Sequence, residues 1–333
     1  MTKSFTTLIK HANMVVNKCF DVQKGDNVLI IGDAEHMMEA QALSGCATQK
    51  GAHVLLADVT PYVNRCLYNM KESMAPAANL AGAMENSDVI MITTNIEWAN
   101  RFAHVDPVGI ACNKGAKVAS VEYGMGEWAL NEDDIDEIVD RTVRIGKVME
   151  GGKVIHVFDD NGTDVKLSIA GRPPLLVKPI KLAGEMMGPL PLWGEVAWAA
   201  KEDDTEGIIV FDGIMLGVGV PGTLENKIRI TMEKGRAVKF EGGEEAAKLA
   251  QVVKDNANAN IIGEFALGIS EFAPLGNASE KGRLGVVHMA LGDNHHCYPG
   301  GQNHSNVHLD GSIRQATVTV DGKKIFDKGV LVV

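Results

Sequence analysis

The rhythm of apolar and polar positions changes once along the chain. Up to about residue 150, short and nearly unbroken apolar runs alternate with stretches of helical period. Asn27-Val28-Leu29-Ile30-Ile31-Gly32-Asp33 reads as a strand buried on both faces, and Glu35 to Lys50 as a helix ended by Gly51. His53 to Asp58 gives a second strand, Ser87 to Thr94 a third and Ala116 to Val121 a fourth. Ahead of them, Leu8, Ile9, Met14, Val15 and Val16, interrupted by Lys10, His11 and Asn13, form an amphipathic helix pattern. Asn131 reads as the N-cap of a further helix. The acids that follow it face the positive end of the helix dipole, and Gly151-Gly152 ends the run. Strands alternating with helices at this spacing predict βαβ units and a mainly parallel sheet covered on both faces.

Beyond the glycine pair the period shortens towards two. Lys153 to Phe158 and Asp164 to Ile169 flank Asn161-Gly162, a strong hairpin signal. Gly207 to Ile214 is another strand. Asn226 to Glu233 alternates strictly, turns at Lys234-Gly235 and returns through Ala237-Val238-Lys239-Phe240. One helix, Glu244 to Asp255, interrupts the strands, and the tail pairs Thr317 to Val320 with Lys324 to Phe326 across Asp321-Gly322. The expected fold is therefore α/β. A Rossmann-like, mainly parallel domain spans 1–150, and a β-rich, mostly antiparallel metal-binding domain spans 151–333.

The first domain invites a nucleotide, but Gly32-Asp33-Ala34-Glu35-His36 after the first strand carries neither a dinucleotide fingerprint nor a phosphate loop. No dinucleotide site is expected. A net charge of −11 and the absence of any basic run speak against nucleic acid and anionic membrane as partners. No apolar stretch has the length of a bilayer span, and the N-terminus does not read as a signal peptide. Five cysteines (Cys19, Cys46, Cys66, Cys112 and Cys297), odd in number and without a C-x-x-C pair, suit a reducing compartment, so a cytoplasmic protein is expected.

Candidate chemistry gathers near the end. Of ten histidines, His288, His295, His296, His304 and His308 fall close together, whereas His11, His36, His53, His104 and His156 are scattered. Imidazoles and carboxylates share sites for zinc and neighbouring metals. Alternate residues of a strand face the same way, so His308 and Asp310 are placed to address one ion. Two further segments, Trp193-Gly194-Glu195-Val196-Ala197 and Ile262-Gly263-Glu264-Phe265-Ala266, each put one carboxylate in an apolar run. A buried carboxylate needs a partner, for which a metal ion, a salt bridge or exposure at a sheet edge would each serve. With His288 the candidates number five, enough for two divalent ions if one carboxylate bridges them. Trp193 and Trp198 flank Glu195 either as pocket lining or as packing residues.

In these pieces the chain resembles the M29 metallo-aminopeptidases of the aminopeptidase T and aminopeptidase S type. The matching parts are Gly194-Glu195-Val196, the strand pair around Lys234-Gly235-Arg236-Ala237-Val238, Gly263-Glu264-Phe265-Ala266-Leu267, His288-x-Ala290-Leu291-Gly292 and His308-x-Asp310. The resemblance implies that Glu195, Glu264, His288, His308 and Asp310 are metal ligands. It also implies two zinc or cobalt ions, a homodimer, and a hydrolase releasing N-terminal residues from short peptides or similar small substrates. The tyrosine that such enzymes carry before a proline falls on His295 by position, while Tyr298-Pro299 follows three residues later. His295 and Tyr298 therefore join Glu195 and Glu264 as catalytic candidates.

A second reading uses the same residues. His288, His308 and Asp310 supply two imidazoles and a carboxylate, the ligand set of non-haem Fe(II) oxygenases. Ring-cleaving 2,5-dihydroxypyridine dioxygenases resemble the same scaffold. Those relatives carry histidine where this chain has Glu264 and lack the His-x-Ala-Leu-Gly piece, so the resemblance favours a metalloprotease-like hydrolase over a mononuclear iron dioxygenase.

Overall fold

The computed structural model describes residues 5–62, 76–94, 105–180, 189–218, 222–295 and 298–333. His104, His296, Cys66 and Cys297 lie outside them. The chain forms two compact units, Met1–Val139 with Lys178–Leu192, and Asp140–Val177 with Trp193–Val333.

The first unit holds a parallel sheet of β1 (Asn27–Gly32), β2 (His53–Asp58), β3 (Val89–Ile92) and β4 (Lys117–Ser120), in the order β2-β1-β3-β4. The unbroken apolar runs have the cause inferred from sequence, because β1 and β3 are buried almost throughout. Leu29, Ile31, Ile90, Ile92 and Val118 pack with Met84 of the helix Ala78–Glu85 and with Val108 and Ala111 of the helix Asp106–Asn113. Leu190 extends the sheet: its N–H donates to the Ser120 carbonyl and its own carbonyl accepts from Glu122. The helix Glu132–Met149 starts as expected, with the Asn131 side chain accepting from the Asp133 N–H at 2.8 Å.

The second unit is built from two antiparallel sheets. Eight strands run in the order β11-β10-β9-β6-β5-β15-β16-β17. They are β5 (Val154–Phe158), β6 (Asp164–Ser168), β9 (Thr205–Phe211), β10 (Ile228–Glu233), β11 (Arg236–Glu241), β15 (Thr317–Val320), β16 (Lys323–Asp327) and β17 (Val330–Leu331). The other sheet, in the order β14-β13-β12-β8-β7, contains β7 (Leu175–Val177), β8 (Glu195–Ala199), β12 (Ile262–Gly268), β13 (Val287–Gly292) and β14 (His308–Ile313).

One face of each sheet feeds a single core. Ile155, Val157, Leu167, Ile209, Ile230 and Val318 from the larger sheet join Val196, Trp198, Phe265, Leu267, Met289 and Leu309 from the smaller, and the helix Gly243–Asp255 adds Leu249. The smaller sheet thus has one face committed to packing. Strict alternation turns the intervening side chains to its other face. The expected α/β fold, parallel in one part and antiparallel in the other, is what the chain adopts. Among the described residues no helix is long and apolar enough to cross a membrane.

Candidate metal centre

Strand register gathers the candidates. Along β14, Leu309 and Ile313 enter the core, and His308 and Asp310 occupy the alternate positions. Asp310 pairs with Ala290, and Ala290 with Glu264. His288 pairs with Ala266, and Ala266 with Ala197, two residues from Glu195. The five side chains share one face of four neighbouring strands, with alanines at the positions between them.

Glu264 reaches that face through an irregularity. Ile262 belongs to the core, so an undisturbed strand would send Glu264 there as well. The register slips between Ile262 and Glu264: these two residues pair with the adjacent Leu291 and Ala290, leaving Gly263 as an extra residue. Such a bulge re-aims the side chain that follows it. A side chain does not fit at the bulge, since a Cβ on Gly263 would lie 2.9 Å from the Gly292 carbonyl oxygen.

The donors form two groups around Glu264, Glu195–Glu264–His288 and Glu264–His308–Asp310, with ligand-type atoms within 4.8 Å of one another in each. Oε1 of Glu264 lies 3.2 Å from His288 Nε2, and Oε2 lies 2.9 Å from His308 Nε2. His288 Nε2 is 3.5 Å from Glu195 Oε2, and His308 Nε2 is 3.2 Å from Asp310 Oδ1. His288, His308 and Asp310 are therefore divided between the two groups and do not form a third of their own among the described residues.

Two details separate the groups. His308 Nδ1 donates to the Asp293 carbonyl at 2.7 Å, which fixes the tautomer and leaves Nε2 as the atom turned towards Glu264 and Asp310. Gly292 lets the chain pass close to the start of β14 there: its φ is +104°, and a Cβ would meet the Val307 carbonyl oxygen at 2.2 Å. His288 Nδ1, by contrast, is buried without a hydrogen-bond partner. Asp310 Oδ1 is likewise buried and accepts no hydrogen bond, although it faces His308. Such an orphaned carboxylate oxygen beside a tautomer-fixed imidazole suits a cation.

Electrostatics point the same way. Burial and the charges of Glu264 and Asp310 push the Glu195 carboxyl up to about 7, against the opposing pull of His288 and Lys281. Burial would also raise Glu264, but His288 and hydrogen bonds from both histidines outweigh it and hold that carboxyl down at about 2. Burial works against the charged forms of His288 and His308; the neighbouring carboxylates overcome it and raise both, His308 strongly. Without an ion, protons on the imidazoles balance the buried carboxylates. A divalent cation supplies the same two charges.

Sequence reasoning missed Lys281. It is buried in a short 3₁₀ turn, Ala278–Gly282, with Nζ 2.7 Å from Asp310 Oδ2 and 5.3 Å from the centre of the Trp193 ring. Nothing in Ser279-Glu280-Lys281-Gly282-Arg283 distinguishes this lysine from a solvated one. The two tryptophans part company. Trp198 is a core residue, whereas the Trp193 Nε1–H donates to Glu195 Oε2 at 3.2 Å. Tyr298 stacks on the His308 ring, with centroids 5.4 Å apart and its hydroxyl 3.4 Å from Nε2. His295 falls in neither donor group, and its ring lies 3.7 Å from that of His304.

A family model described as "NicX: 2,5-dihydroxypyridine 5,6-dioxygenase" matches residues 7–333. The chain belongs to the NicX family. Two solved structures share its fold. A 2,5-dihydroxypyridine dioxygenase from Pseudomonas putida KT2440 aligns over 99% of this chain and 98% of its own, with 18% identity and a TM-score of 0.76. AmpT from Thermus thermophilus aligns over 98% of this chain and 99% of its own, with 16% identity and a TM-score of 0.70. No curated protein matches the chain in sequence.

The NicX match overturns the expected aminopeptidase, and with it the description as a hydrolase or metalloprotease. The M29-like scaffold inferred from sequence stands. The error has a physical source. A handful of donor residues identifies a scaffold that holds metal, and both chemistries are carried on that scaffold. The match along almost the whole chain carries more information than Glu264 and one histidine motif. As a NicX-family enzyme with these donor groups, the protein uses a divalent metal.

Proposed function

We propose that this protein is a ring-cleaving dioxygenase that takes a small hydroxylated pyridine of the 2,5-dihydroxypyridine type and uses one Fe(II). The observation that carries the reading is the family match over residues 7–333. Glu264, His308 and Asp310 would hold the ion, one imidazole and two carboxylates where the usual oxygenase set has two imidazoles and one carboxylate. They include the fixed His308 tautomer and the orphaned Asp310 oxygen, whereas His288 lacks the second hydrogen bond that metal-binding histidines nearly always make. An iron held by these residues would supply the redox chemistry of ring cleavage, in which both atoms of dioxygen enter the product as one ring carbon–carbon bond breaks.

The remaining roles belong to the chain. The Asp293 carbonyl orients His308, and Lys281 engages Oδ2 of Asp310 so that Oδ1 is the oxygen left to a ligand. Tyr298, stacked on His308, offers a phenol at the edge of the group where a substrate hydroxyl can exchange a hydrogen bond. Glu195, His288 and Trp193 back Glu264 from the other side and orient its carboxylate.

The test is anaerobic reconstitution with Fe(II), followed by oxygen uptake on 2,5-dihydroxypyridine. The expected result is one iron per chain, one O₂ consumed per ring, and loss of the aromatic absorbance. An iron-loaded protein that consumes no oxygen with dihydroxypyridines would overturn the reading.

A further inference from the structure

The donor groups pose a question of number. Each contains one imidazole and two carboxylates with Glu264 shared, an arrangement whose atoms would serve two ions. With all three carboxylates ionised and both imidazoles neutral, the donors carry three negative charges, and the Lys281 ammonium reduces this to two. One dication brings the buried cluster to neutrality. A second would leave it doubly positive in a region where an uncompensated charge is costly.

Lys281 is held in place from both sides. Glu280 is fully buried and accepts hydrogen bonds from Arg314 Nε at 2.9 Å, Ser312 Oγ at 2.9 Å and the Gly276 N–H at 2.7 Å. The Gly282 carbonyl accepts from the Ile269 and Ser270 N–H groups at 3.0 and 2.9 Å. A Cβ on Gly282 would sit 2.9 Å from the Trp193 indole, so only glycine lets the turn approach that ring. The backbone thus delivers the ammonium to one spot. There it touches Asp310 directly and lies over the indole that donates to Glu195. One fixed cation therefore adjoins both donor groups.

We propose that Lys281 stands in for a second metal ion: its ammonium neutralises the side of the cluster between Asp310 and Glu195, limits the site to one divalent ion, and thereby determines metal stoichiometry. The inference rests on the single-ion reading above. It predicts that removing the charge, without removing the hydrogen bond to Asp310, opens the site to two ions.

The experiment uses Co(II), which is stable in air and reports its coordination in the visible spectrum, counted per chain by native mass spectrometry and by calorimetric titration. Wild type is expected to bind one Co(II), Lys281→Gln two, and Lys281→Arg one. Lys281→Met provides a second uncharged variant, also expected to bind two, should the glutamine protein fail to fold. One ion in folded Lys281→Gln or Lys281→Met would overturn the role of Lys281 and leave the single-ion reading intact. Two ions in wild type would overturn that reading itself.

Discussion

Glu264 is the side chain common to both donor groups, and each of its oxygens faces a different histidine. Replacing it with alanine removes a ligand wherever in the cluster the ion sits. Glu264→Ala is expected to weaken Co(II) binding by roughly 100-fold or more, the upper range found for lost supporting contacts and a floor for a lost ligand. Glu195→Gln, which changes only the group behind it, is expected to retain one ion. Equilibrium dialysis measures both, and wild-type binding by folded Glu264→Ala would remove Glu264 from the site. At this scale the sequence was readable where strand period alone places a residue: His308 and Asp310 lie two apart and face the same way. It was silent on Lys281, because a buried lysine and a solvated one have the same letter and similar neighbours. What distinguishes Lys281 is the indole and the carboxylate that the chain brings to it from 88 and 29 positions away.

Among the elements, those with a clean period were legible to within a few residues. The second strand was expected at its observed bounds, and the hairpin at Asn161-Gly162 and the long helix after Asn131 were close to theirs. Three features were not. The first helix widens into a π turn at Val15–Cys19, and β7 is only three residues long; neither leaves a periodic trace. The bulge at Gly263 also went unread, because Ile-Gly-Glu-Phe looks like a simple apolar run until one sees that Ile262 and Glu264 face opposite ways. Gly263→Ala tests that feature. The added Cβ meets the Gly292 carbonyl at 2.9 Å, so the pairing of β12 with β13 must shift, an overpacking that costs about 1–3 kcal/mol. The expected outcome is a lower Tm together with weaker Co(II) binding, because Glu264 is turned with the strand. Calorimetry and a Co(II) titration read the two effects, and a loss of stability with undiminished affinity would mean that the bulge does not aim Glu264.

For the whole molecule, the buried cluster sets how stability depends on pH, and the sign differs with and without metal. In the metal-free protein Glu195 keeps its proton up to about 7, whereas the unfolded chain releases it near 4.5, so its contribution falls as pH rises through that window. His288 and His308, raised above 6.5, contribute fully below that value and lose the contribution as pH climbs through their folded values. Glu264, at about 2, and Asp310, below its ordinary 3.8, are ionised throughout the range from 5 to 8 and add no slope there. The metal-free Tm is therefore expected to fall between pH 5 and 8. Metal-loaded protein should show the opposite trend, because ions compete with protons for the same atoms and bind more tightly as pH rises. Thermal melts with and without Co(II) across this range decide the matter, and parallel curves would rule out these groups as the ligands. The spread of the donors along the chain has a consequence for biogenesis. They run from Glu195 to Asp310: Glu195, Glu264 and His288 meet once β8, β12 and β13 have paired, and His308 and Asp310 join them when β14 pairs with β13. Closing contacts of such long range is slow and comes late. A chain whose β14 has not yet paired lacks both His308 and Asp310, so the proposed ion site is completed only by the last strand to join that sheet.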